Sequence, residues 1–298
     1  MTKSVAVPSE IINYARPILK WAGGKAQIED TILTAIDRLH PEQIEKYFEP
    51  FVGGGAIFFA LAARRRFRYA RLSDTNAELI GMYIAVRDDV KGVIRELKKL
   101  IKLPYGEQTY YLLRATKPRS ECAKAARMIY LNKTCFNGLY RVNKKGEFNV
   151  PWGKRKNPTI LDLEALHAAS RALAGVELVV QNFTSAAYLM DNGDLGYFDP
   201  PYVPVTATSF SAYQADGFTG AQQIILAEHM VMLAAQGKHA LLSNSHCPAT
   251  VKLYKGLKKI KVLARRNINR NGDERGAVSE LLVESRFTTP RQRKNKSA

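Results

Sequence analysis

The chain has 298 residues and a mass of 33.3 kDa, with 45 Lys plus Arg against 27 Asp plus Glu, a formal net charge of +18 and a pI near 9.8. Hydrophobic residues make up 46% of it, enough for a full core. That excludes a mainly disordered basic tail protein and leaves a folded body whose charge favours a polyanion, either nucleic acid or an anionic membrane surface.

In chain order, the first feature is Lys20-Trp21-Ala22-Gly23-Gly24-Lys25, a glycine pair beside an aromatic ring and two ammonium groups, which suits a small anionic ligand or a plain helix entry. An amphipathic helix follows, with Ile28, Ile32, Ile36 and Leu39 on one face. Lys46–Phe51 reads as a strand, Gly53-Gly54-Gly55 as a turn, and Ala56–Arg65 as a helix, and a short strand begun near Tyr69 ends at Asp74. From about Glu78 to Asp162 strand signals thin out. Helical patterns at Val90–Leu100 and Ala123–Leu131 take over, and Leu131–Gly153 reads as a β-hairpin with turns at Asn137-Gly138 and Lys145-Gly146. Leu195–Tyr202 is a strand that must stop at Pro200-Pro201, which supply no ladder donors. Thr219 and Gln222 have capping-box spacing, Leu226, Met230 and Leu233 share the face of the helix they open, and Gly237 ends it. His239–Ser243 and Val278–Glu284 are further strands.

The alternation predicts an α/β fold interrupted by a mainly helical insert. The division is residues 1–77 and 163–288 for one domain, 78–162 for the insert, and a basic, disordered tail over 289–298. No apolar window approaches the roughly 18 residues of a spanning helix, and the start MTKSVAVPSEIINYARP has no signal-peptide core. Cys122, Cys135 and Cys247 form no CxxC pair, so neither a disulfide framework nor a zinc site is indicated. A cytoplasmic protein without metal or membrane contact is expected.

Chemistry concentrates in three places. Glycines between a strand and a helix let the backbone approach a ligand at a helix N-terminus, and a carboxylate about 20 residues on, at the end of the next strand, is placed to accept from ribose hydroxyls. Glu49–Gly55 with Asp74 has that arrangement, which suits an adenosyl cofactor and a nicotinamide cofactor equally. Asp199-Pro200-Pro201-Tyr202 separates them. An exocyclic amine on a nucleobase is a poor nucleophile, because its lone pair is delocalised into the ring. Two acceptors aimed at its hydrogens favour the charge-developing form reached in the transition state. The Asp199 carboxylate and the Pro200 carbonyl can be those acceptors, and Tyr202 can stack on a base taken out of the duplex. In the hairpin, Lys133, Arg141, Lys144 and Lys145 interleave with Phe136, Tyr140, Phe148 and Trp152, as suits a DNA groove. The basic runs Lys252–Lys261 and Arg265–Arg275 are further phosphate candidates.

Together these elements resemble the Dam family of DNA adenine methyltransferases, the D12 or alpha-type amino methyltransferases, from about Pro17 to Glu284. The shared runs are KWAGGK, EPFVGGG, LNKTCFNGLYRVNKKGEFNVPWG, DPPY, and Phe218-Thr219 followed by Gln222-Gln223. The resemblance implies a Rossmann-like sheet with an inserted target-recognition domain, and transfer of a methyl group from S-adenosylmethionine to the N6 amine of adenine in duplex DNA, with base flipping. It implies a catalytic role for Asp199, Pro200 and Tyr202. Its cofactor positions fall on Trp21, Lys25, Phe51, Gly53, Gly55, Asp74, Asn182, Phe183 and Asp199. Its DNA positions fall on Lys20 and Arg141 as guanine readers, Leu139 and Pro151 as base neighbours, and Phe136 and Asn137 in the space the flipped base leaves. GATC is the implied target, and a restriction endonuclease acting on the same site without direct contact is an implied partner. Phe136 stands where some relatives have tyrosine. Cytosine-N4 methylation, methylation of an RNA or protein amine, and a catalytically inactive DNA-binding relative are the alternatives.

Overall fold

Strands whose two faces are both covered form the frame. A computed structural model describes residues 15–288 except Ala26, Lys144, 205–213, 216–217 and 266–276. The tail at 289–298, Lys144 of the hairpin and the basic residues at 266–275 lie outside the described residues. Among the described residues, seven strands form one sheet. In chain order they are β1 (Ile44–Glu49), β2 (Phe67–Asp74), β3 (Glu177–Val180), β4 (Leu195–Phe198), then β7 (His239–Ser245), β8 (Leu257–Arg265) and β9 (Ala277–Phe287), while β5 (Gln214–Ala215) and β6 (Phe218–Thr219) pair separately. The sheet order is β3-β2-β1-β4-β7-β9-β8. The first five are parallel, and β9 runs antiparallel between β7 and β8. Such a mostly parallel sheet is the Rossmann-like arrangement expected, and β4 is buried at every position, as strands covered on both faces are.

Helices α1 (Glu29–Leu39), α2 (Ala56–Ala63), α6 (Leu163–Leu173), α7 (Thr184–Leu189), α8 (Gly220–Ala235) and α9 (Pro248–Leu253) accompany these strands. α1 buries Ile32, Ile36 and Leu39 on the anticipated face, with Ile28 at its N-cap. In α8 both halves of the capping box form: Thr219 Oγ1 accepts from the Gln222 N–H at 3.3 Å, and Gln222 Oε1 accepts from the Thr219 N–H at 2.8 Å. Gly237 follows the helix at φ +69°. Two strands end earlier than their sequence suggests. The first closes at Glu49 rather than Phe51, because the turn begins there, and β4 closes at Phe198, because the prolines cannot continue the ladder.

Between β2 and α6 lie α3 (Ala77–Ile101), α4 (Glu107–Ala115), α5 (Glu121–Thr134) and an irregular hairpin. The helical pattern at Val90–Leu100 is the second half of α3, which kinks at Asp89 (φ −144°, ψ 63°). There the Asp89 carboxylate accepts from the Gly92 N–H at 2.8 Å and recaps the helix. In the hairpin, Cys135 bridges Trp152, Val142 bridges Phe148, and the Gly146 N–H donates to the Asn143 carbonyl at 2.9 Å to close the turn. No helix among the described residues is long and apolar enough to cross a membrane.

Candidate active site

The sheet order reverses between β1 and β4: the chain moves outward through β2 and β3 on one side, and through β7 on the other. At such a switch point, the crevice beyond the carboxyl ends of the strands is the natural ligand site. Glu49–Gly55 leaves β1 there and Asp199–Tyr202 leaves β4. Thus two runs 150 residues apart in sequence meet because their strands are neighbours.

The Lys25 ammonium lies 2.8 Å from Asp199 Oδ2, donates to the Gly23 carbonyl, and sits 4.8 Å from the centroid of the Tyr202 ring. Lys25 is only 4% exposed, so its charge needs this partner. The Asp199 side chain keeps a fifth of its surface exposed, at 20%, yet among the described residues no donor stands in hydrogen-bond geometry to its buried Oδ1, while the Tyr202 hydroxyl is near enough to help hold the carboxyl down. Burial raises the Asp199 carboxyl above the usual carboxylate range, and Lys25 opposes that rise. The Tyr202 hydroxyl donates to Glu280 Oε2 at 2.7 Å, which orients the ring from β9.

A second acid stands beside this pair. Glu49 is buried and accepts from the Tyr47 hydroxyl at 2.8 Å. Desolvation, with Asp199 nearby, pushes its carboxyl up to about 8. The folded chain therefore holds a proton that the unfolded chain releases near 4.5. Because this folded value is raised, the group's contribution to stability is fully present below about 4.5 and is lost as pH rises towards 8. Glu49→Gln cannot ionise, so its urea midpoint should fall less than that of the wild type between those pH values. Parallel pH dependences would refute the assignment.

The glycine loop is shaped by neighbours on both sides. Gly53 and Gly55 have φ of +47° and +70°, which favours glycine. A Cβ on Gly53 would lie 2.7 Å from Trp21 Cδ1. The Tyr83 hydroxyl on α3 donates to the Gly53 carbonyl at 2.9 Å, and the Gly53 N–H donates to Asp74 Oδ2 at 3.2 Å. Asp74 Oδ1 accepts from the Asn76 N–H at 2.9 Å. Burial raises the Asp74 carboxyl, and these N–H donors oppose the rise. A carboxylate has about four lone-pair sites, so acceptor capacity remains for a ligand. Phe51 stacks on Phe183 at 5.3 Å, and Phe218 closes on both rings. Asn182 is exposed beside them. Trp21 stacks on Tyr140 at 5.2 Å, and the Tyr140 hydroxyl donates to Glu78 at 2.7 Å, so the hairpin is tied to this wall.

The residues expected to meet DNA gather on and beside the hairpin. Phe136 is 44% exposed and Leu139 38%. Asn137 (φ +55°), Arg141 and Pro151 are exposed as well. Arg141 Nε donates to Asn149 Oδ1 at 2.7 Å, which braces the guanidinium across the hairpin. Lys20 lies over Gly138, where a Cβ would come within 2.7 Å of the lysine Cβ. Lys133 and Arg155 are near enough to act electrostatically on one another, and Arg155 acts likewise on Lys20. Of the basic run from Lys252, Lys258 pairs with the buried Glu284 at 3.0 Å and Lys259 donates to the Tyr254 and Leu257 carbonyls. Lys252, Lys255 and Lys261 are the exposed members.

Sequence reasoning missed several supports. Asn132 is buried and binds the Lys20 backbone in both directions at 2.8 Å, and donates also to the Gly138 carbonyl at 3.1 Å. Its signal was present, as an amide within the apolar face of a helix. Gln223 lies in a run shared with the family, but nothing in that run shows its partner, and Glu280 and Asn244 carried no such signal, because nothing local shows which strand end a polar residue will occupy.

The sequence model of a family described as D12 class N6 adenine-specific DNA methyltransferase matches residues 21–268. The chain is similar to the type II methyltransferase M.MjaIII of Methanocaldococcus jannaschii, 41% identical over 283 residues, covering 90% of this chain and 98% of that protein. It is similar to the type II methyltransferase M1.LlaDCHI of Lactococcus lactis subsp. cremoris at 37% identity, with 90% and 94% covered. The DNA adenine methylase of Escherichia coli (strain K12) is 34% identical, again with 90% and 94% covered.

Proposed function

Since the chain belongs to the D12 class N6 adenine-specific DNA methyltransferase family, we propose that it methylates the adenine of GATC in duplex DNA, with S-adenosylmethionine as donor and the target base flipped from the stack. The observation that carries this reading is Asp199 at the sheet's switch point, whose buried Oδ1 has no donor in hydrogen-bond geometry among the described residues. It is an acceptor beside a proline carbonyl, where an amine would need two acceptors.

The residues suit an adenosyl cofactor. Gly53 and Gly54 leave little room for side chains against Trp21, Gly55 is closed by Phe59 and Tyr83, Asp74 keeps acceptor capacity, and Phe51 and Phe183 offer apolar ring surface with Asn182 at its edge. When bound, S-adenosylmethionine supplies a methyl group on a sulfonium. The chain does the rest. Asp199 Oδ1 and the Pro200 carbonyl accept the two amine hydrogens and draw the nitrogen lone pair out of the ring. Lys25 keeps Asp199 ionised. Tyr202, oriented by Glu280, stacks the base. The positive charge that develops on nitrogen sits against the Asp199 carboxylate, and the surplus proton leaves by that oxygen.

Phe136 and Asn137 fill the gap in the duplex, while Lys20 and Arg141, with Leu139 and Pro151 alongside, read the flanking bases. Lys133, Arg155, Lys252, Lys255 and Lys261 contact phosphate, so their contribution falls with salt. A cytoplasmic location on DNA, and an endonuclease cutting the same site without touching this chain, complete the reading.

The test uses labelled S-adenosylmethionine with a GATC duplex and with duplexes altered at each flanking base. The wild type should label adenine in GATC only. Arg141→Ala should lose about 1–3 kcal/mol of discrimination at one guanine while still labelling adenine. Absence of label in adenine from the wild type would refute the reading.

A further inference from the structure

Asp199 points one acceptor at the amine, but the other belongs to the backbone of Pro200, and backbone direction needs its own support. Proline supplies only part of it. The rings set φ near −65° but leave ψ unset, and neither residue has an N–H for the sheet to hold. β4 has ended at Phe198, so the ladder no longer guides the chain. Something else must place residues 200–203.

Two buried amides meet that need. Gln223, on α8, donates from Nε2 to the Pro201 carbonyl at 2.9 Å. Asn244, at the end of β7, donates from Nδ2 to Gln223 Oε1 at 3.1 Å. Asn244 Oδ1 accepts from the Val203 N–H at 3.2 Å and from the Ser245 N–H at 2.9 Å. The Ser245 hydroxyl donates to the Val203 carbonyl. Gln223 and Asn244 are fully buried. Their neighbours are apolar, Leu226 and Ala227 one turn along α8 and Ala240–Leu242 earlier in β7. A buried amide adds little net stability over a well-packed apolar residue of its size. What it adds is direction.

We infer that Gln223 and Asn244 are positioning residues for methyl transfer, and that they aim the Pro200 carbonyl by fixing the Pro201 carbonyl and the Val203 N–H. The peptide joining Pro200 and Pro201 is planar and the Pro201 ring fixes φ, so once the Pro201 carbonyl is held only its own ψ stands between the two carbonyls, and the hold on Val203 further on narrows that. Neither amide is among the residues assigned to the cofactor or the base. The inference rests on the function proposed above.

The test compares wild type, Gln223→Met and Gln223→Glu by single-turnover methylation of a GATC duplex, with affinities for S-adenosylmethionine and DNA measured separately. Gln223→Met should slow transfer about 10- to 100-fold, with both affinities within about twofold of the wild type, since displaced near-attack geometry costs on that order. Gln223→Glu preserves the size of the side chain and so guards against a variant that fails to fold. Its buried carboxyl is raised by desolvation. While protonated it still donates to Pro201, and once ionised it cannot. Its rate should match the wild type at low pH and fall away as pH rises, a basic limb that the wild type lacks.

A purely structural role would lower melting temperature and the active fraction, but not the rate per active site, and would create no new limb. That result overturns the inference, as does a loss confined to either affinity. If the wild type methylates a different amine, the reading of the target fails while the rate comparison still decides the inference, because the same loop would serve. No transfer at all from the wild type overturns both.

Discussion

Replacing Asp199 by alanine is expected to slow methyl transfer by a factor on the order of 10³, the scale seen when one preorganised electrostatic group is removed from a reacting centre, while most of the DNA affinity remains. The argument runs from the fold outward. β4 delivers Asp199 to the crevice beside the glycine loop, and Oδ1 is left buried with no donor in hydrogen-bond geometry among the described residues. A buried acceptor with no partner is costly in the unliganded chain, and an amine hydrogen would relieve that cost. In the proposed reading DNA is held elsewhere, on the hairpin and its flanks, so affinity should survive. The variant also leaves Lys25 buried without its counter-charge, so melting temperature should fall as well. Rates are therefore to be compared per active site, by single-turnover labelling. A fall shared equally between rate and DNA affinity would contradict the proposed role.

Lys25→Met is expected to have the second-largest effect, a loss at neutral pH that recovers as pH rises. The sign follows from the local charges. Burial raises the Asp199 carboxyl, Glu280 adds to that, and the Lys25 ammonium at 2.8 Å holds it down. Without the ammonium, less of Asp199 is ionised at any given pH, so the acid limb of the rate profile moves to higher pH. Lys25→Arg retains the charge and should keep the limb near its original place. The family resemblance puts Lys25 among cofactor contacts, and the two roles are separable. Loss of S-adenosylmethionine affinity with an unmoved limb would assign Lys25 to the cofactor alone.

Much of this arrangement is legible in the sequence, for physical reasons that differ between elements. The glycine loop is legible because positive φ at Gly53 and Gly55 restricts the residue type. The α8 start is legible because a capping box is a local interaction. The end of β4 is legible because proline cannot donate to a ladder. The irregularity of the hairpin is not, since two isolated bridges and an alternating sequence look alike in one dimension. Nor is the kink at Asp89, where a carboxylate that reads as an exposed helical residue recaps the chain.

Charge partners were the least visible. Lys25 and Asp199 are 174 positions apart, and only the sheet order brings them within 2.8 Å. Lys258 reads as a phosphate ligand in a basic run, but Glu284 on the neighbouring strand neutralises it. That pair already cancels within the net charge of +18, so the excess charge does not say which cations face DNA. Glu49 is the converse case. It reads as a negative charge in the glycine motif, whereas burial beside Asp199 keeps it protonated up to about pH 8.

The most direct test of the central claim is the position and identity of the methyl group in DNA from cells that lack adenine methylation and express this chain. The account predicts N6-methyladenine at GATC sites, and none when Asp199→Ala is expressed at the same level. Methylated cytosine, N6-methyladenine unrelated to GATC, or unmodified DNA from cells making the folded wild-type protein would contradict it.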